Sequence, residues 1–255
     1  MFDLHLTGAN GTTYNLYEPG AQIGVPKGGL KIKPQITRTT RNALSRAGSF
    51  DADVEVGEMQ GPLVVQFFRG EVPLEELYLE WFKAVPTTAD VEIRAGKDGG
   101  VWRVATARLI EPLPSPDVVP ENADTMEIDN AFAVPDGAWW EEPSRSGTGT
   151  VDVSNAGEVP ARIRIRWSGA GGVVTLPSNA VFTLPAVSGE RILHLSDDES
   201  NAVELPTGEL DHATWLALSE SVMPEAVPPG TTARFRLPAG ASLEWDIGFL
   251  HPWGG

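Results

Sequence analysis

The 255-residue sequence contains no cysteine, which excludes disulfides, thiolate-held metals and cysteine nucleophiles together. Positive charge is scarce: 19 Lys and Arg stand against 35 Asp and Glu, giving a formal net charge of −16 and a pI near 4.6. Such a chain is unsuited to gripping bare nucleic acid or an anionic membrane, both of which need clustered cations to neutralise phosphate. No apolar run approaches the ~20 residues that a membrane-spanning helix requires. The opening segment, Met1-Phe-Asp-Leu-His-Leu-Thr7, lacks the basic start and apolar core of a signal peptide. The expectation is a soluble protein made in the cytoplasm. The histidines His5, His194, His212 and His251 have neither HExxH nor HxH spacing, and no GxSxG turn offers a serine nucleophile. Gly169-Ala-Gly-Gly172 lacks the third glycine of a dinucleotide loop and reads as a hairpin turn. Asp51 and Asp53 share one face of an alternating strand, most simply its solvated face. Asp197-Asp-Glu199 has oxygen ligands suited to calcium without the longer DxDxDG loop, so a metal there stays open. No catalytic residue and no cofactor is nominated, and the chain is read as a non-enzyme.

Turn residues are abundant instead, with 27 Gly and 21 Pro. They punctuate short segments of alternating polarity, the pattern of an antiparallel β protein. Residues 2–6 and 49–57 alternate, and residues 63–69 after Gly61-Pro62 are more continuously apolar, as in a strand buried on both faces. One helix is expected over residues 73–85. Pro73 stands at its start, Glu75 and Glu76 lie in the first turn, and Pro86 ends it. Leu74, Leu77, Tyr78, Trp81, Phe82 and Val85 form its apolar stripe against a sheet. Residues 91–95 and 101–107 form a hairpin, residues 111–120 a proline-rich loop, and residues 125–134 a further strand. The Ser, Gly and Thr of residues 143–149 read as a linker. This gives two domains: residues 1–146, a β domain with one helix, and residues 147–255, an antiparallel sandwich. Residues 212–218 are either a short helical turn or an irregular edge.

Two groups are candidates for contacts. Lys27, Lys31, Lys33, Arg38, Arg41 and Arg46 fall in a run with no acid among them. They form either a polar hairpin or a basic arm that meets the acidic surface of a neighbouring subunit. Among the eight tryptophans, Trp139, Trp140, Trp215 and Trp253 fall in turns or at strand ends. There they either cap the cores or offer ring faces to a sugar or a partner.

Three segments in this order resemble the distal tail proteins, or minor tail proteins, of long flexible-tailed phages. They are Phe132-Ala-Val-Pro-Asp-Gly-Ala-Trp-Trp140, then Asn155-Ala-Gly-Glu-Val-Pro160 leading into Arg162-Ile-Arg-Ile-Arg-Trp167, and Leu237-Pro-Ala-Gly-Ala-Ser242 before a last alternating strand. The resemblance covers the second half of the chain in motif and the first half only in layout. It departs at Gly171-Gly-Val-Val-Thr-Leu-Pro177 and in the tail Leu250-His-Pro-Trp-Gly-Gly255. It implies a structural virion protein at the distal tail tip, with a ring-forming N-terminal domain and a galectin-like jelly-roll C-terminal domain. It further implies a homohexameric hub ring, with the tail tube protein on one side and the adsorption apparatus, hub or receptor-binding proteins, on the other. DNA would pass the lumen without being held, which an acidic wall favours by repelling phosphate. The rival reading is a carbohydrate-binding sandwich acting at the host surface through the four tryptophans.

Overall fold

A computed structural model describes residues 2–42, 49–97, 99–195 and 201–253. The chain divides into two compact units, Met1–Trp139 with Leu250–Gly254, and Trp140–Phe249. The change of unit therefore falls before the Ser/Gly/Thr stretch, and the end of the chain rejoins the first unit.

In the first unit the elements are β1 (Phe2–Thr7), β2 (Thr13–Asn15), β3 (Ile23–Gly24), β4 (Lys33–Asn42), β5 (Ser49–Phe68), α1 (Leu74–Ala84), β6 (Val91–Lys97), β7 (Trp102–Leu109) and β8 (Thr125–Val134). Their antiparallel sheet has the order β2-β1-β6-β7-β8-β5-β3. Its two ends are drawn together beyond β2, where the Leu16 amide donates to Leu4 O (2.7 Å) and the Val25 amide donates to Leu16 O (3.0 Å). This joining makes the sheet nearly a barrel and leaves little edge exposed.

Alternation fills the interior. Leu4 and Leu6 of β1, Ile93 of β6, and Leu63, Val65 and Phe67 of β5 are all buried in one core. Helix α1 seals that core with Leu74, Leu77, Trp81 and Ala84. Its stripe is narrower than expected, because Phe82 is exposed and packs only obliquely on Tyr78. Pro73 is the extended N-cap rather than a helical residue.

Gly61-Pro62 does not break β5, which runs continuously for 20 residues. Gly61 has φ 151°, and a Cβ there would lie 2.2 Å from Lys31 O. Glycine thus lets the neighbouring segment close in, and Pro62, which cannot donate, serves as an acceptor for the Lys31 amide (2.9 Å).

The second unit follows from β9 (Trp139–Glu142). It contains β10 (Arg145–Thr148), β11 (Thr150–Ser154), β12 (Arg162–Gly169), β13 (Gly172–Thr175), β14 (Val181–Leu184), β15 (Val187–His194), β16 (Val203–Glu204), α2 (His212–Leu218), β17 (Thr232–Arg236), β18 (Ala241–Asp246) and β19 (Gly248–Phe249). Two antiparallel sheets, β10-β18-β12-β15-β16 and β11-β17-β13-β14, enclose one core. The expected linker is therefore mostly strand: Arg145 to Thr148 pair with Trp245 to Ser242. Gly149, at φ 67°, turns the chain from one sheet to the other. The stretch 212–218 is a helix, capped by the Asp211 carboxylate on the Thr214 amide. The architecture is mainly β, as the sequence implies.

Candidate functional site

The basic run is built into one edge of β5. Along that edge β5 meets Ile23 at Phe67, Leu30 at Leu63, and Lys33 at Gln60. The same strand pairs with β8 from Met59↔Val134 to Phe68↔Thr125. A residue such as Gln60 thus has β4 on one side and β8 on the other. Beyond Met59 the β8 ladder ends, while β4 and β5 stay paired to Asn42↔Ser49. The result is a two-stranded hairpin arm extending from the sheet.

Lys27, Lys31 and Lys33 are exposed on the segment leading into the arm and Arg38 on the arm itself, whose second strand carries Asp51, Asp53 and Glu55. Arg41 belongs to β4 by its backbone pairing with Phe50, and Arg46 lies outside the described residues. The hairpin form is what the sequence allowed. What it did not single out is the apolar pair on the arm: Ile36 sits opposite Val56, and the two are 45% and 38% exposed. Their signal was present as Ile36 amid Thr and Arg, and as Val56 closing the alternation of residues 50–56.

The four tryptophans do not form a common platform. Trp139 is 0% exposed and belongs to the first core. Trp253 lies in the tail that rejoins the first unit, against Phe2 (centroids 4.9 Å) and Tyr17 (6.1 Å). Trp140 carries the Arg162 guanidinium 4.0 Å above its ring. Trp215 packs on the second core and meets His212 edge-on. Each is engaged within its own unit, so the capping role describes them better than an open stacking surface does.

The outer face of the five-stranded sheet carries Arg162, Arg164 and Arg166 of β12, whose intervening residues point inward. Arg164 meets Asp246 at 2.8 Å, and Arg166 meets Glu244 at 2.6 Å and Glu190 at 2.9 Å. Glu244 and then Glu190 hold the Arg166 guanidinium above its usual pKa. These charges satisfy one another. Asp211 is held down to about 2 by the Thr214 amide first, then by Arg191 and the Thr214 hydroxyl. It caps a helix and anchors Arg191 (2.5 Å), a structural task. Among the described residues no group of three His, Cys, Asp or Glu is placed to hold a metal. Asp197 to Glu199 lie outside the described residues.

The three motif segments have structural roles. Asn155, 2% exposed, donates to Val159 O (2.9 Å) and Val227 O (2.8 Å) and accepts from the Gly157 amide (2.8 Å). A Cβ on Gly157 would come within 2.3 Å of Gly248 O. Gly137, at φ 64°, turns the Pro-Asp-Gly segment where a Cβ would lie 2.7 Å from Gly57 O. Gly240, at φ 85°, completes a turn closed by the Ala241 amide on Pro238 O.

No protein-family model matches the chain, and no curated protein does. Solved structures do. The chain aligns over 98% of its length with 100% of SPP1 Dit (gp 19.1), described as a paradigm of the hub adsorption apparatus in phages infecting Gram-positive bacteria. The TM-score is 0.60 and the identity 12%. A chain of the phage P2 baseplate in its activated conformation with Ca aligns over 97% of this chain and 98% of its own, with TM-score 0.54 and 8% identity. The corresponding baseplate structure with Sr gives 96% and 98% coverage at the same TM-score and identity. Identities this low show a shared fold, and the coverage shows that it is shared along nearly the whole of each chain.

Proposed function

We propose, from a fold shared with SPP1 Dit over 98% of this chain and 100% of that one, that this chain is a structural hub protein of a phage tail tip. That observation carries the reading, since a sandwich alone recurs among unrelated functions whereas a pair of dissimilar β units in one chain is a narrower match. The protein forms a homohexameric ring at the distal end of the tail, stacked on the tail tube protein and presenting the second unit to the adsorption apparatus. It works through interfaces and not by catalysis. The acidic chain suits a lumen through which DNA passes unheld. The cation-bearing run from Lys27 to Arg46 is one side of the contact between neighbouring copies, supported by the exposure of Lys27, Lys31, Lys33 and Arg38 in a protein of net charge −16.

Gold-labelled antibody against the purified chain, imaged on intact particles, is expected to mark the distal tail tip. Label confined to the capsid, or tails that assemble and adsorb normally without the chain, would overturn the reading. Charge reversal at Arg38 and Arg41 is expected to lower the native mass measured by sedimentation.

A further inference from the structure

The geometry points to a docking face on the second unit: we infer that the outward side of α2 and the turn after it receives a different tail protein, through apolar side chains of that protein rimmed by Lys or Arg. This rests on the tail-tip reading above.

The face is apolar where a surface helix is ordinarily charged. From His212 to Leu218, α2 has no Asp, Glu, Lys or Arg, and Ala213, Leu216 and Ala217 are exposed on it. The backbone stays coiled beyond the helix, since the Val222 amide donates to Leu218 O (3.0 Å). Leu218 and Val222, four residues apart, are buried in the sandwich core. Leu216 and Met223, seven apart, fall on the opposite side of such a coil. They are 68% and 69% exposed, more than any other large apolar side chain among the described residues. Leu210, just before the Asp211 cap, is 51% exposed. Grouped apolar exposure of this kind marks an interaction surface, whereas scattered single residues do not.

Charge identifies what covers it. No Lys or Arg occurs between Arg191 and Arg234, and Arg191 is held by Asp211 (2.5 Å). Glu209 and Glu220, before and after the helix, are exposed. An apolar centre with a charged rim is the ordinary anatomy of a protein interface, and here the rim is acidic. A second copy seated face to face would set Glu209 and Glu220 against the same acids, because a two-fold contact pairs a patch with itself. The occupant is therefore another protein whose rim is cationic.

The test is photo-crosslinking in assembled particles, with p-benzoylphenylalanine replacing Leu216 or Met223 of the full-length chain. Val173, 55% exposed on β13 of the same unit, is the control position. Circular dichroism checks that each variant is folded. Leu216 and Met223 should crosslink to another tail protein, at a peptide in which Lys or Arg flanks apolar residues, and Val173 should not. Adding Glu209→Lys and Glu220→Lys should lower that yield by about tenfold. Equal yields at all three positions, capture of a second copy of this chain or of a cation-free peptide, or a yield unmoved by the lysines would each overturn the inference. If antibody finds the chain at the tail tip but neither position crosslinks, the docking face alone is overturned. A chain absent from the tail tip overturns the tail-tip reading and this inference with it.

Discussion

At the scale of single residues, the side chains with most structural consequence are buried amides and a capped acid. Asn130 is fully buried, accepts from Trp81 Nε1 (2.9 Å) and donates to Leu63 O (2.8 Å), so it ties α1 to β5 and β8. Asn155 does the same for the turn that opens the sandwich. Replacing Asn155 by Ala removes the partner of the buried Val159 carbonyl and of the part-buried Gly157 amide, while Val227 O keeps the Ala161 amide, and should cost about 2 kcal/mol, read as a lower urea midpoint at unchanged slope. Asp211 makes a prediction in pH. The Thr214 amide first, then Arg191 and the Thr214 hydroxyl, hold its carboxyl down to about 2 in the folded chain, below the ordinary aspartate range. A depressed acid contributes stability above its unfolded pKa and loses it as pH falls through the folded one. Asp211→Asn should therefore destabilise at neutral pH, by on the order of 1–2 kcal/mol. The gap to wild type should close between about pH 4 and 2. A gap that stays constant across that window would show that the ionised carboxylate is not what stabilises the helix. The sequence offered Asn155 and Gly157 as a motif, but the physical reason, a backbone approach to Gly248, depends on a segment far along the chain and cannot be read locally.

At the scale of elements, alternation and turn chemistry make most strands of the first unit legible: residues 125–134 read as a strand with the bounds that β8 shows. Two readings failed for one reason. Gly61-Pro62 and the residues around Gly147 carry poor strand propensity, yet both lie in ladders because a neighbour needs to come close. At Gly61 that neighbour is Lys31; at Gly147 it is Val151, whose Cγ2 would lie 3.0 Å from a Cβ. Tertiary pairing overrides local preference in such positions. Gly61→Val should thus destabilise the first unit by roughly 2 kcal/mol or more, through strain at φ 151° and collision with Lys31 O. Hydrogen exchange should report it as faster amides in β5 with the sandwich unchanged. The arm was legible in part, as a polar loop or hairpin over residues 27–46, because the strand that pairs with β4 comes from beyond that run and brings Asp51, Asp53 and Glu55. Its apolar pair was not, because exposure at Ile36 and Val56 follows from where the β8 ladder ends, at Met59.

At the scale of the whole molecule, the unexpected feature is where the chain end goes. The division into two units assigns the last described residues to the first, although they follow directly from the last strand of the second. Physical contacts account for this. Arg103 of β7, only 9% exposed, donates from Nη1 to the carbonyls of His251 (3.2 Å) and Pro252 (3.4 Å). Trp253 covers Phe2 and Tyr17. Removing two acceptors from a buried guanidinium is costly, and truncation of a large aromatic exposes apolar surface. Nothing in the sequence of the tail announces a partner; the aromatic it covers sits at residue 2, at the other end of the chain. Deleting residues 251–255 should consequently weaken the first unit by about 1–3 kcal/mol. The loss should concentrate in β1 and β7 by hydrogen exchange. Trp253→Ala should reproduce the part due to ring packing, and Arg103→Met should weaken the truncated chain less than the full-length one, because the two changes remove the same contact. Equal and additive losses would mean that Arg103 does not hold the tail.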